Sequence, residues 1–282
     1  MKHLLLLLAA ALISACASQR GNEQINFETV TYTPADWPVP LLADVWRPFA
    51  GTGTAAPAML MVHGGGWERR SRKDMNRLSR YYAERGFVVM NISYRFAPEH
   101  RFPAQLHDLQ QAMHWLHQHA TELGIDRDRV AAFGYSAGAH LVSLLALTAG
   151  TSDELDRPYG GDTTRPAAVI AGGSPMDLRK YPGGKLVPQF LGGRIDEVPE
   201  IFAAASPVTH VHAAAPPFFL FHGGRDRLVT IDHAEEFMAA LTALDVPVEL
   251  YRQRGRGHVL AFLTLGGALE QADRFLDQTL SD

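Results

Sequence analysis

The chain has 282 residues, 46% of them hydrophobic and 20% charged, with 26 basic against 30 acidic side chains and a formal net charge of −4. Such a length and composition suit one large α/β domain, or two small ones, with a well-filled core. The slightly negative balance gives no electrostatic reason to expect a nucleic-acid partner, and a single cysteine, Cys16, excludes an intramolecular disulfide.

Met1-Lys2-His3 is a short basic start, Leu4 to Ile13 is an apolar run, and Ser14-Ala15 supplies small residues at a cleavage point. The run is too short to span a bilayer as a helix, so residues 1–15 read as an export signal. Ile13-Ser14-Ala15-Cys16 resembles the bacterial lipoprotein processing motif, in which the cysteine sulfur is lipidated and becomes the new N-terminus. That resemblance implies a domain held to a membrane by acyl chains on Cys16, in the bacterial cell envelope. Ala17 after the cysteine is similar to the pattern sorted to an outer membrane. Residues 16–26 are mostly small and polar and read as a tether, which leaves 27–282 as the folded domain.

Phe27 to Tyr32 and Leu41 to Trp46 form an expected opening hairpin around the turn material of Thr33 to Pro38. From there strands and helices alternate. Strands are expected at Met59–Val62, Phe87–Ile92, Val130–Gly134, Ala167–Ala171, Phe218–Phe221 and Val246–Tyr251. Helices are expected at Met75–Arg85, Ala104–Leu123, from Ala137 to Leu147, at Asp232–Leu244 and from about Leu263 to Leu280. The alternation predicts a mainly parallel, eight-stranded sheet with helices on both faces. Residues 151–166 and 175–216 do not fit it and are expected to cap the site. Glu68-Arg69-Arg70-Ser71-Arg72-Lys73 carries its own acid and reads as a solvated approach to a helix.

The chemistry centres on Gly134-Tyr135-Ser136-Ala137-Gly138, a G-x-S-x-G between an expected strand and an expected helix. A serine on so sharp a turn is held in strained backbone with its Oγ projecting into a pocket. Serine needs a base to attack an acyl carbon, and the base needs a carboxylate to hold it. Asp226 stands on a glycine-loosened loop after the strand Phe218–Phe221, and His258 on the loop after the last strand. The order Ser136, Asp226, His258 is that of the α/β-hydrolase triad. Asp232 reads instead as helix-capping charge. His222 is the rival base, and its structural alternative is a ring hydrogen bond to the acid loop. His63-Gly64-Gly65-Gly66-Trp67 ends the strand Met59–Val62, and the N–H groups of Gly65, Gly66 and Ala137 are the expected oxyanion donors. Trp67 and Tyr135 are candidate pocket walls. No metal or organic cofactor is expected.

The glycine loop, Tyr94-Arg95-Phe96-Ala97-Pro98-Glu99-His100-Arg101-Phe102-Pro103-Ala104 and the serine elbow together resemble the hormone-sensitive-lipase-like esterases of the α/β-hydrolase superfamily. Ser136-Ala137-Gly138-Ala139-His140-Leu141, and tryptophan after the glycines, look more like the carbohydrate-esterase (BD-FAE-like) and kynurenine-formamidase branches. The resemblance implies a serine carboxylesterase acting on small-molecule aryl or acetyl esters. An amide hydrolase with the same triad and a non-catalytic envelope module are the alternatives.

Overall fold

A computed structural model of the chain describes Ile25 and residues 27–48, 54–181 and 183–281. The expected signal over 1–15, Cys16, and the expected tether apart from Ile25 lie outside the described residues. Ile25 itself is buried against the core.

Eight strands form one sheet. They are β1 (Phe27–Thr31), β2 (Leu42–Trp46), β3 (Ala56–Val62), β4 (Val88–Ile92), β5 (Ile125–Tyr135), β6 (Ala168–Gly172), β7 (Phe218–Gly223) and β8 (Val248–Gln253). Their spatial order is β1-β2-β4-β3-β5-β6-β7-β8. β1 and β2 pair antiparallel, β2 joins β4 antiparallel, and every other neighbouring pair is parallel. The loops after β3 to β8 therefore gather along one edge of the sheet, where a ligand can meet several of them.

Helices cover both faces. In chain order they are α1 (Asn76–Ala83), α2 (Ala104–Gln118), α3 (Ala120–Leu123), α4 (Ala137–Thr148), α5 (Leu186–Leu191), α6 (Pro199–Ala204), α7 (Asp232–Thr242), α8 (His258–Leu263) and α9 (Gly266–Thr279). The two-residue period of a strand divides its side chains between the faces. Ala58, Leu60 and Val62 of β3 pack with Leu109 of α2, Leu141 of α4 and Phe237 of α7. Met59 and Met61 pack with Leu78 of α1 and Phe275 of α9 on the other side.

Two expectations need correction. The long helix expected over 104–123 breaks at His119, whose ring Nδ1–H donates to the Trp115 carbonyl (2.8 Å), while its φ and ψ of −95° and 9° leave the helical region. The expected terminal helix is α9; α8 precedes it after β8, and buried Gln253 holds the turn between them, its side-chain amide donating to the Ala261 and Thr264 carbonyls at 3.0 and 3.1 Å. Finally, residues 151–166 do not reach the cavity described below. They follow α4, which runs away from the edge where Ser136 sits, and they pack on α2 through the Gln110 amide, which donates to Leu155 O (2.9 Å). The carboxylate of Asp156 closes that loop on itself, accepting from the N–H groups of Gly150, Ser152 and Gly161.

Candidate active site

β5 passes into α4 through one residue, Ser136, with φ 55° and ψ −123°, a region that side chains other than glycine rarely occupy. The turn is this tight because its flanking glycines nearly touch. A Cβ on Gly134 would lie 2.4 Å from the Gly138 carbonyl, and one on Gly138 would lie 2.2 Å from Val62 O of β3. The Ser136 N–H is anchored to Gly172 O of β6 (2.7 Å) and its carbonyl accepts from His140 N–H (3.0 Å). Ala137 is the first residue of α4, so its N–H has no acceptor within the helix.

The loops after β7 and β8 bring the other two residues to the serine. Ser136 Oγ lies 2.9 Å from His258 Nε2, and His258 Nδ1 lies 2.6 Å from Asp226 Oδ2. With Nδ1–H donating to the carboxylate, Nε2 is left to accept the serine proton. The second oxygen of Asp226 accepts from Leu228 and Val229 N–H, each at 2.9 Å. Burial alone would raise the Asp226 pKa, but the hydrogen bond from His258 and these two N–H groups more than offset it and hold the carboxyl below its usual range. His222 takes its structural alternative. Its Nε2–H donates to Val229 O at 2.8 Å, and burial lowers its pKa. Asp232 lies at the start of α7, away from the serine, and is engaged by Lys180.

The glycine loop turns back on itself over Gly65 (φ 124°), Gly66 (φ 63°) and Trp67 (φ 59°). Gly65, Gly66 and Ala137 line one cavity with Ser136 and His258. The turn is fixed from behind. The Tyr94 hydroxyl donates to His63 O (3.0 Å), and Trp67 stacks on Phe190 of α5 with 4.4 Å between ring centres. Trp67 Nε1–H donates to His140 Nδ1 (3.2 Å), whose Nε2–H donates to Ala205 O (2.7 Å). An imidazolium could not accept from Trp67, and burial lowers the His140 pKa to about 4.

Trp67 and Tyr135 both line the cavity, but each is almost wholly buried and hydrogen-bonded elsewhere. The Tyr135 hydroxyl donates to the main-chain carbonyl of His258, and its ring lies 4.7 Å from that of Phe262. Nothing in the local sequence signals this contact or the His140 bridge. The positive φ that opens Gly173 beside Tyr135 and His258 was foreshadowed only by the Gly172-Gly173 pair.

The cavity holds about 730 Å³. Its walls are mainly apolar and include Leu186 and Val187 of α5 and Phe262 and Leu263 of α8. Of the expected cap, Pro175, Tyr181 and residues 183–187 contribute. The stretch expected to be a solvated helix approach contributes as well, since Arg69 and Arg70 line the cavity, whereas Arg72 turns inward and meets buried Asp44 at 3.0 Å.

Comparison with known proteins gives matches over most of the domain. The BD-FAE family model matches residues 43–241. Esterase LipC of Mycobacterium tuberculosis is 35% identical over 263 residues, covering 90% of this chain and 64% of its own length. Esterase LipQ of the same organism is 32% identical over 227 residues, covering 77% of this chain and 53% of its own. This chain thus spans between about half and two thirds of those relatives. Esterase 2 of Thermogutta terrifontis superposes with a TM-score of 0.76 at 27% identity, covering 90% of this chain and 94% of that one. A butyrate-bound structure of the same esterase gives a TM-score of 0.75 at 26% identity, with the same coverage.

Proposed function

The chain belongs to the BD-FAE family of α/β-hydrolase esterases, and from that premise we propose that it is a serine carboxylic-ester hydrolase working through Ser136, His258 and Asp226. The observation that carries the reading is the unbroken hydrogen-bond path from Ser136 Oγ through His258 to Asp226, at 2.9 and 2.6 Å. His258 removes the serine proton as Oγ attacks the ester carbonyl, and Asp226 stabilises the resulting imidazolium. The N–H groups of Gly65, Gly66 and Ala137 receive the oxyanion, each donor contributing about 3 kcal/mol to the transition state. His258 then protonates the departing alkoxide, leaving an acyl-Ser136 that water cleaves by the same steps in reverse. The mainly apolar cavity suits small acyl or aryl esters. The butyrate- and propionate-bound structures of the Thermogutta terrifontis esterase support a short acyl group.

Purified protein should hydrolyse p-nitrophenyl butyrate, and Ser136→Ala should reduce the rate to background. Equal hydrolysis by Ser136→Ala, or none by the parent, rejects the reading.

We infer separately, from Ile13-Ser14-Ala15-Cys16, that the protein is lipid-anchored through Cys16 in a bacterial cell envelope, at the outer membrane or the periplasmic face. Cys16→Ser should then move the protein from the membrane fraction to the soluble one, and unchanged partitioning rejects the anchor.

A further inference from the structure

Basic side chains outnumber acidic ones around the cavity, and the acyl-transfer steps leave the basic ones unused. Arg69, Arg70 and Lys185 line the cavity, and Asp74 is the only carboxylate among its described lining residues. The loops bearing Asp226 and His258 add Arg225, Arg227, Arg254 and Arg256, all exposed. Arg69 has Glu68 at 3.7 Å, whereas Arg70, Lys185 and those four arginines have no carboxylate partner among the described residues. This lies on a chain whose formal net charge is −4. Fields from cations on adjoining loops overlap within a Debye length of about 8 Å and concentrate anions at such a mouth.

Arg70 is singled out by its backbone. Its φ is 81°, in the left-handed region that arginine seldom adopts. The chain folds back so tightly here that a Cβ on Gly65 would lie 2.1 Å from Arg69 O and 2.8 Å from Arg70 Cγ. Gly65, an oxyanion donor in the reading above, therefore has the stem of Arg70 packed on it. Strained backbone of this kind persists where the surrounding structure enforces it, and it marks sites of function.

The surface beside these cations is apolar. Leu228 and Leu263 line the cavity while remaining 58% and 59% exposed. A neutral apolar ester would leave Arg70 and Lys185 unmatched, and a purely polar ligand would leave the leucines unmatched. An ester with an apolar body and a terminal anion satisfies both. We propose that Arg70, assisted by Lys185, binds an oxyanion such as a carboxylate remote from the scissile bond, so that the preferred substrates are anionic, amphiphilic esters. The inference rests on the esterase reading above. The guanidinium offers a planar pair of donors suited to a carboxylate.

The test compares p-nitrophenyl octanoate with p-nitrophenyl hydrogen suberate, which has the same acyl length and a carboxylate at its end. For the parent protein, kcat/KM for the suberate ester should fall about tenfold between about 0.05 and about 0.5 M NaCl, while that for the octanoate ester does not fall. Arg70→Asn, with a residue at ease at positive φ, should lower the suberate-to-octanoate ratio about tenfold, mainly through KM, and Arg70→Glu should lower it further. A ratio that moves less than about twofold in both variants, or a suberate rate indifferent to salt, overturns the proposal. So does hydrolysis of p-nitrophenyl butyrate without hydrolysis of either longer ester. Should butyrate also resist hydrolysis, it is the esterase reading that fails. The salt series uses the parent protein and stands even if a variant does not fold.

Discussion

Tyr135 and His258 are 123 residues apart, and the phenol of the first donates to the main-chain carbonyl of the second. The residue before the nucleophile thus holds the backbone of the residue that accepts its proton. Burial, and then the charge of Asp226, push the Tyr135 pKa up, so the hydroxyl remains a donor throughout the neutral range. Tyr135→Phe keeps the ring packed against Phe262 and removes the tie. It should lower kcat about 10- to 100-fold with little change in KM, because small displacements of a catalytic group are costly. Steady-state kinetics on p-nitrophenyl butyrate separates the two constants, and an unchanged kcat would show that the tie does not position His258.

Asp226→Asn preserves shape but cannot fix the His258 tautomer. A loss of about 10⁴ in kcat is expected, the size seen when a triad carboxylate becomes an amide. The thermal midpoint should fall too, since Asp226 has a depressed pKa and contributes stability above the unfolded carboxyl pKa, which disappears as pH falls through the folded one. The gap in midpoint between parent and variant should therefore narrow in acid, and a constant gap would contradict this.

Gly138→Ala tests the elbow. The added methyl would meet Val62 O at 2.2 Å and His63 O at 2.6 Å, both backbone atoms of β3 and its loop. Neither can withdraw without separating α4 from the sheet. A loss of about 3 kcal/mol is expected, lowering the thermal midpoint by roughly 6 °C for a domain of this size. A midpoint within error of the parent would mean that the elbow can relax.

His140 gives a pH dependence whose sign is opposite to the common histidine case. Its pKa is lowered by burial to about 4 in the folded state, against 6.5 for the unperturbed group. Between these values the unfolded chain binds the proton and the folded chain does not, so stability falls as pH drops from 6.5 toward 4. The contribution of this one ring is of the order of 3 kcal/mol across that window. Denaturant melts at pH 7 and pH 4.5 should show a smaller acid loss in His140→Gln than in the parent, although the variant starts less stable.

What could be read in the sequence was what depends on neighbours in the chain. The elbow is legible because Gly134, Ser136 and Gly138 do their work within five residues, and the eight strands because apolar runs alternate with amphipathic ones. Asp226 and His258 follow from strand order, and the structure brings them to Ser136. Contacts between distant segments were not legible. Nothing near His140 announces that its ring joins Trp67 to Ala205, and the helix break at His119 depends on a side chain turning to its own backbone. Arg69 and Arg70 are exposed, as their composition suggests, but composition does not reveal that the chain reverses at Gly65 and sets them on the cavity wall.

The opening hairpin has a consequence for orientation. Because β2 runs against β4 and β1 against β2, Phe27 stands level with Trp46 and Val89, at the end of the sheet where the parallel strands begin. Ser136 is at the end where they finish. The chain thus enters the domain at the pole opposite the catalytic mouth. An anchor at Cys16, as proposed, would therefore join the domain at its base and leave the catalytic mouth at the far pole from the point of attachment.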